Sequence, residues 1–276
     1  MYDLHTHSTC SDGSVPAAEL PLLARRRGLN GIAVTDHDSM RGVASAQAAG
    51  KTCGVDVLPG AEISAFHPET GRRVHLLALL PRRPEALFPL FARVAASRER
   101  ACLRSLEVLA PLYPVTEADA RFFSADAGTL FRAHILRALM AQGFADRIFG
   151  ELYDKLFSRT NGSAYFPVEY IPMEEAAATA REAGCCVILA HPGVYDSFGA
   201  AEKLAARGLI DGIERDYPRR RDGDVAKTDV LIEKYHLLAT GGTDFHGYYA
   251  SPAHPIGTCV TPEAVIDRIR EIAEKR

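Results

Sequence analysis

Apolar and polar positions along this chain predict short strands alternating with amphipathic helices. An opening apolar run carries His5 and His7 two positions apart, as on one face of a strand. Pro16 to Arg27 reads as a helix: Pro16 suits a first turn, Leu20, Leu23 and Ala24 form an inward stripe, and Gly28 stops it. Gly31 to Thr35 is a buried strand, and Ser39 is placed to cap a helix running to Gly50. Val55 to Leu58 is a third strand with Gly60-Ala61-Glu62 at its C-terminal end, and Val74 to Ala78 a fourth.

The pattern changes from about Pro84 to Asn161. Strand signals vanish, and helices are expected over Leu87–Leu109, Thr129–Gln142 and Arg147–Phe157. Alternation then resumes with a helix (Met173–Ala183), a strand (Val187–Ala190), a helix (Ala200–Arg207), a strand (Asp211–Glu214), a helix (Asp224–Tyr235), a strand (Leu237–Thr240) and a closing helix (Thr261–Lys275). The expectation is an α/β unit over residues 1–83 and 162–276, interrupted by a helical insertion over 84–161. Such alternation argues for a parallel sheet, open or closed into a barrel.

Candidate chemistry gathers at one edge of that sheet. His5 and His7, Asp36-His37-Asp38, Glu62, His191, and Asp244 with His246 all fall within or just past the C-terminal ends of predicted strands. That is the edge where α/β barrels and open sheets carry their active sites. A turn through Ser8–Ser11 can bring Asp12 beside His5 and His7. Asp244-Phe245-His246 repeats the two-apart spacing on a glycine-rich turn that allows close backbone approach. His75 lies inside Val74-His75-Leu76-Leu77-Ala78, where an ionisable group needs a partner. Imidazole and carboxylate suit zinc, manganese and iron. Ten histidines in 276 residues will sometimes fall two apart by chance, but six histidines with three carboxylates on one edge are a stronger signal.

Composition narrows the partners. The net charge of −3 and pI near 6.4 argue against long nucleic acid as a partner. No apolar run approaches the roughly 20 residues that cross a membrane, and Met1-Tyr2-Asp3 lacks the features of a secretory signal. Six scattered cysteines without a C-x-x-C pair fit a reducing, cytoplasmic setting.

The motifs Asp3-Leu4-His5-Thr6-His7…Asp12-Gly13, Val34-Thr35-Asp36-His37-Asp38, Pro59-Gly60-Ala61-Glu62-Ile63, Leu189-Ala190-His191-Pro192 and Thr240-Gly241-Gly242-Thr243-Asp244-Phe245-His246-Gly247 resemble those of the polymerase-and-histidinol-phosphatase (PHP) family. The likeness spans nearly the whole chain and is greatest to the TrpH-like branch of small phosphoesterases, which also carries Arg-x-His before an Arg-Ala-Leu helix, here Arg132-Ala133-His134 followed by Arg137-Ala138-Leu139. The resemblance implies a distorted seven-stranded β/α barrel holding two to three divalent ions, manganese, iron or zinc. It assigns His5, His7, Glu62 and Asp244 to a first metal, with Glu62 bridging to a second completed by His75 and His191, and Asp12, His37 and His246 to a third. Asp12, where some relatives have His, is a harder ligand that favours manganese or iron.

The activity implied is phosphate-ester hydrolysis, with a metal-bridging hydroxide attacking phosphorus on a small phosphorylated ribose or nucleotide. A 3′,5′-bisphosphate nucleotide or a cyclic phosphoribose diester fits best; histidinol phosphate and 5′–3′ trimming of RNA are the family alternatives. Glu62, His134 and His191 are the expected catalytic residues, with His134 the candidate leaving-group acid. Arg132, His134, Lys155 and Arg215 are the expected substrate contacts. Arg25–Arg27 and Arg219–Arg221 read as solvated surface, although the basic loop from Arg215 to Arg221 departs from the branch pattern and is a place for a second phosphate or sugar contact. A metal amidohydrolase also opens with His-x-His, but often bridges its metals with a carboxylated lysine at a strand end, where this chain has none. A PHP-like module that has lost its metals and only binds is the non-enzymatic alternative.

Overall fold

A computed structural model describes residues 1–249 and 253–276 of the chain. The first half of the barrel comprises β1 (Tyr2–Thr6), α1 (Leu20–Arg26), β2 (Gly31–Val34), α2 (Val43–Cys53), β3 (Asp56–Phe66) and β4 (Arg73–Leu79). Four helices follow: α3 (Phe88–Leu109), α4 (Glu117–Phe123), α5 (Arg132–Ala141) and α6 (Glu151–Phe157). The remainder is β5 (Ile171–Pro172), α7 (Met173–Glu182), β6 (Cys186–Leu189), α8 (Phe198–Ala206), β7 (Gly212–Asp216), α9 (Asp224–Tyr235), β8 (Leu238–Gly241) and α10 (Glu263–Glu274).

Seven of these strands form one curved sheet in the order β1-β2-β3-β4-β6-β7-β8, with β5 pairing beside β3. The ends meet where the His7 amide donates to the Phe245 carbonyl at 2.8 Å and the Phe245 amide to the His5 carbonyl at 3.2 Å. The result is a near-closed, distorted (β/α)7 barrel with helical insertions. β1, β2 and β6 are buried along their whole length, as expected of strands covered on both faces. No helix among the described residues is long and apolar enough to cross a membrane.

The distortion lies at β4, which runs antiparallel to both β3 and β6. Only the short link from His67 to Arg72 joins β3 to β4, too few residues for the crossover that parallel neighbours need. β3 is also longer than expected. Pro59-Gly60 reads as a strand end, yet the strand continues through it by changing partners, pairing parallel to β2 up to Pro59 and antiparallel to β4 from Gly60 onward. Glu62 therefore sits within a strand and not beyond one. Ser39 is not a helix cap: α2 begins at Val43 after a turn, with no side-chain cap bond.

The inserted helices have a core of their own, built around Leu106, Leu109, Leu130, Leu136 and Leu139. Helix α3 joins it to the barrel, placing Phe91 and Val94 in the barrel core and Leu106 and Leu109 in the second cluster. Helix α4 is an addition to the expected set. Thr116 Oγ1 accepts the Asp119 amide at 3.2 Å while Asp119 returns a carboxylate to the Thr116 amide at 2.8 Å, a capping box in a segment with a weak apolar stripe.

Candidate metal centre

Glu62 is the middle of the site. Its carboxylate is fully buried and surrounded by five imidazoles. Oε1 faces His75 Nδ1 at 2.8 Å and His191 Nε2 at 2.9 Å. Oε2 faces His37 Nδ1 at 3.0 Å, His7 Nε2 at 3.2 Å and His5 Nε2 at 3.3 Å. Asp244 Oδ1 closes one side, 3.3 Å from His7 Nε2 and 3.6 Å from His5 Nε2. Asp12 Oδ1 closes the other, 3.5 Å from His246 Nε2 and 4.0 Å from His7 Nδ1.

Three overlapping groups have ligand atoms within 4.8 Å of one another: His7, Asp12, His37 and His246; His5, Glu62, His191 and Asp244; and His37, Glu62 and His75. All nine residues expected as ligands fall in these groups, although the partition differs from the expected one. His7 stands with Asp12, His37 and His246, while His191 stands with His5 and Asp244. His7 offers Nδ1 to Asp12 and Nε2 to Glu62, so one ring joins two positions.

The residues fit metal ions on their own chemistry. His5 Nε2, both ring nitrogens of His7, Asp12 Oδ1, His37 Nδ1, Glu62 Oε2 and His191 Nδ1 are buried without a hydrogen-bond partner. So many orphaned polar atoms in one place would be costly unless something with positive charge fills the space between them. Burial opposes ionisation of Glu62, yet His75, His37 and His5 hold its carboxyl well below the usual range. Burial likewise opposes Asp12, which His37, His246 and His7 bring down to about 2. The clustered donors suit two to three divalent ions.

Strain and hydrogen bonding hold the ligands in place. Asp38, His191 and Asp244 have φ of 49°, 26° and 52°, in the left-handed region that side chains disfavour. Glu214, fully buried on β7, accepts the His191 amide at 2.7 Å and meets His5 Nδ1 at 3.0 Å, leaving His5 Nε2 to face the cluster. A Cβ on Gly242 would stand 2.4 Å from His5 Cβ and 2.8 Å from Glu214 Oε1, so only glycine lets this turn approach them. Asp36 accepts from the Ser8 amide (2.7 Å), Ser8 Oγ (2.7 Å) and Ser11 Oγ (2.6 Å), which fixes the bend that returns Asp12 to the site. Asp36 stands among the candidates at the strand edge in the sequence but without an assigned role, and Glu214 carries no expectation, although it leaves the same edge as the ligands.

Above the cluster lies a cavity of about 220 Å³. Phe131, Arg132, Phe149 and Tyr153 of the inserted segment line it, opposite Arg73, Tyr170, Tyr195 and Arg219. Arg98 enters from α3, donating to Asp38 Oδ2 at 2.8 Å and stacking 4.3 Å from the Phe131 ring centre, with Nη1 buried and unpartnered.

Several expected substrate contacts lie elsewhere. His134 is fully buried; its Nδ1 accepts the Phe131 amide at 3.1 Å, and burial pushes its pKa down to about 4. An imidazole that is neutral at pH 7 and serves the start of its own helix is poorly placed to protonate a leaving group. Lys155 is exposed on α6, two positions from Tyr153 and hence on the opposite side of the helix from the cavity. Arg215 turns outward to Asp229 of α9, with Nε 2.5 Å from Oδ1. Arg219, read as solvated surface, instead enters the cavity and pairs with Asp244.

With this geometry established, comparison with known proteins is informative. The family described as PHP domain matches residues 3–99. A phosphoribosyl 1,2-cyclic phosphate 1,2-diphosphodiesterase from Eggerthella lenta is 33% identical over 254 residues, covering 91% of this chain and 96% of that protein. A 5′-3′ exoribonuclease from Haemophilus influenzae is 31% identical over 253 residues, covering 89% of each. The crystal structure of a candidate metal-dependent phosphoesterase from Bifidobacterium adolescentis superposes with a TM-score of 0.88 at 28% identity, covering 98% of this chain and 96% of that one. Fold, ligand cluster and relatives agree that this chain belongs to the PHP-domain family, with the centre of a metal-dependent hydrolase of phosphate esters.

Proposed function

We propose that the chain is a TrpH-like phosphoesterase that hydrolyses a small phosphorylated ribose or nucleotide, either a cyclic phosphoribose diester or a 3′,5′-bisphosphate nucleotide. The observation that carries this reading is Glu62: one buried carboxylate shared among five imidazoles on the floor of a small arginine-lined cavity. The Eggerthella lenta relative acts on a cyclic phosphate of phosphoribose, which supports the diester reading.

In this reading His5, His7, Asp12, His37, Glu62, His75, His191, Asp244 and His246 hold the metals, and Glu62 joins the positions. Divalent ions bound there supply a nucleophile at neutral pH and neutralise phosphoryl charge. The chain's own groups do the rest. Glu214 fixes the His5 tautomer so that Nε2 points inward. Arg98, through its free Nη1, and Arg132 and Arg219 at the cavity wall hold the phosphoryl oxygens and spread their charge. Residues 84–161 act as a substrate-covering subdomain on a metal-binding barrel of residues 1–83 and 162–276, since Phe131, Arg132, Phe149 and Tyr153 roof the cavity.

A second reading, 5′–3′ trimming of short RNA, is favoured by the Haemophilus influenzae relative. A phosphate-release panel with manganese-loaded protein separates the two. The first reading expects turnover of phosphoribosyl cyclic phosphate or adenosine 3′,5′-bisphosphate well above that of histidinol phosphate or a short RNA. Preferential release of nucleotides from RNA would overturn it.

A further inference from the structure

With His134 turned away, the centre needs another group to protonate the departing oxygen. In-line displacement sends that oxygen away from the floor, toward the wall and rim of the cavity. Five histidines line the cavity, and four of them, His37, His75, His191 and His246, belong to the ligand groups. The fifth, His254, belongs to none of those groups among the described residues.

The other side chains that could carry a proton there are poorly matched to the task. Asp12 and Glu62 are held as carboxylates. Phenols ordinarily titrate near pH ~10; burial raises Tyr153 and pushes Tyr195 up to about 12. Burial pushes the Cys102 thiol up to about 12 as well. Proton transfer is most effective from a group that titrates near the working pH, and arginine does not give up its proton at all.

His254 lies between β8 and α10, on the segment that also carries Asp244 and His246. Asp3, fully buried on β1, accepts the Thr243 and Gly257 amides at 2.8 Å each, which ties both ends of that segment to the barrel. The imidazole is half-buried, yet its Nε2 is buried and has no hydrogen-bond partner among the described residues. Such a nitrogen is costly to keep without a partner. Burial and the Arg219 guanidinium lower the pKa of the ring from its ordinary value, while Asp244 works the other way. The negative charge of a bound phosphoryl group adds to that of Asp244 and favours the protonated ring.

We propose that His254 is the proton donor to the leaving oxygen. Water supplies the oxygen that forms the new bond to phosphorus, and sheds one proton to solvent. As the old P–O bond breaks, its electron pair stays on the ester oxygen, which takes the proton from His254 Nε2. The neutral imidazole left behind regains a proton from solvent. This rests on phosphate-ester hydrolysis at the centre, not on which ester is the preferred substrate.

The test reads how turnover by manganese-loaded protein depends on the leaving group, along a series of ring-substituted phenyl phosphates from p-nitrophenyl to unsubstituted phenyl. The p-nitrophenolate ion departs readily without a proton, whereas phenolate gains from one. In His254→Asn, kcat/KM for p-nitrophenyl phosphate is expected to stay within about twofold of wild type, while that for phenyl phosphate falls about tenfold or more. His254→Gln is expected to show the same graded loss. Equal losses along the series, or no loss on phenyl phosphate, would overturn the proton donor. Both variants are expected to keep the metal content of the wild type; loss of an equivalent makes His254 a ligand and overturns the proposal too. The wild type gives a reading that needs no variant: its kcat/KM is expected to drop by no more than about tenfold from p-nitrophenyl to phenyl phosphate, and a larger drop contradicts a donor at work. Absence of turnover on every ester in the wild type is a separate outcome, which overturns the phosphoesterase reading itself.

Discussion

The floor and the wall of the cavity are built on opposite principles. On the floor, side chains come from the rigid strand ends of the barrel, are almost wholly buried, and answer one another through Glu62. On the wall, Arg98, Arg132 and Arg219 come from inserted helices and a loop and are held by aromatic rings and single ion pairs. The floor therefore tolerates little change because each ligand serves several neighbours, whereas the wall is a set of separable contacts. This contrast places the chemistry common to a fold on its frame and the selection of substrate on its additions.

Substitutions can break or sharpen that contrast. The largest effect is expected from Glu62→Gln, which removes the charge shared by the metal positions: activity falls on the order of a thousandfold or more, read by steady-state kinetics. Asp12→Ala comes next. It removes one ligand of the group that also holds His37 and His246, so one metal equivalent is lost by elemental analysis while the others remain. Glu214→Gln touches no metal position directly, but frees the His5 ring and the His191 amide; a loss of about 10- to 100-fold in metal affinity or activity is expected. At the small end, Lys155→Ala and Arg215→Ala should each leave kcat/KM within about twofold, because one side chain is in solvent and the other is turned to Asp229. A tenfold loss at either would return that residue to the site.

The sequence was most legible where residue type and strand position coincided. His5 and His7, two apart on a strand, and Asp244 and His246 after a glycine-rich turn announce themselves, because imidazole and carboxylate at a strand end have few structural uses. The direction of β4 was not legible. Pro59-Gly60 has the composition of a strand end, and only the pairing with Leu79 and Leu80 shows the chain running straight through. The arginines were harder still. Arg73 on a strand, Arg98 on a long helix and Arg219 in a basic loop look like surface charges by composition. What separates them from Arg215 is which way the backbone turns, and that depends on where α3 and the loop after β7 pack. His134 is the opposite case: its motif position marks it for the site, whereas its burial and the bond its Nδ1 accepts from the Phe131 amide at the start of its own helix are visible only in the fold.

Metal content per chain of wild type and Glu62→Gln, purified in parallel with manganese supplementation, tests the central claim most directly. The account predicts two to three equivalents in the wild type, as the three ligand groups allow, and a clear loss in the variant. Fewer than two equivalents in the wild type, or an undiminished content in Glu62→Gln, would contradict a centre organised around that carboxylate.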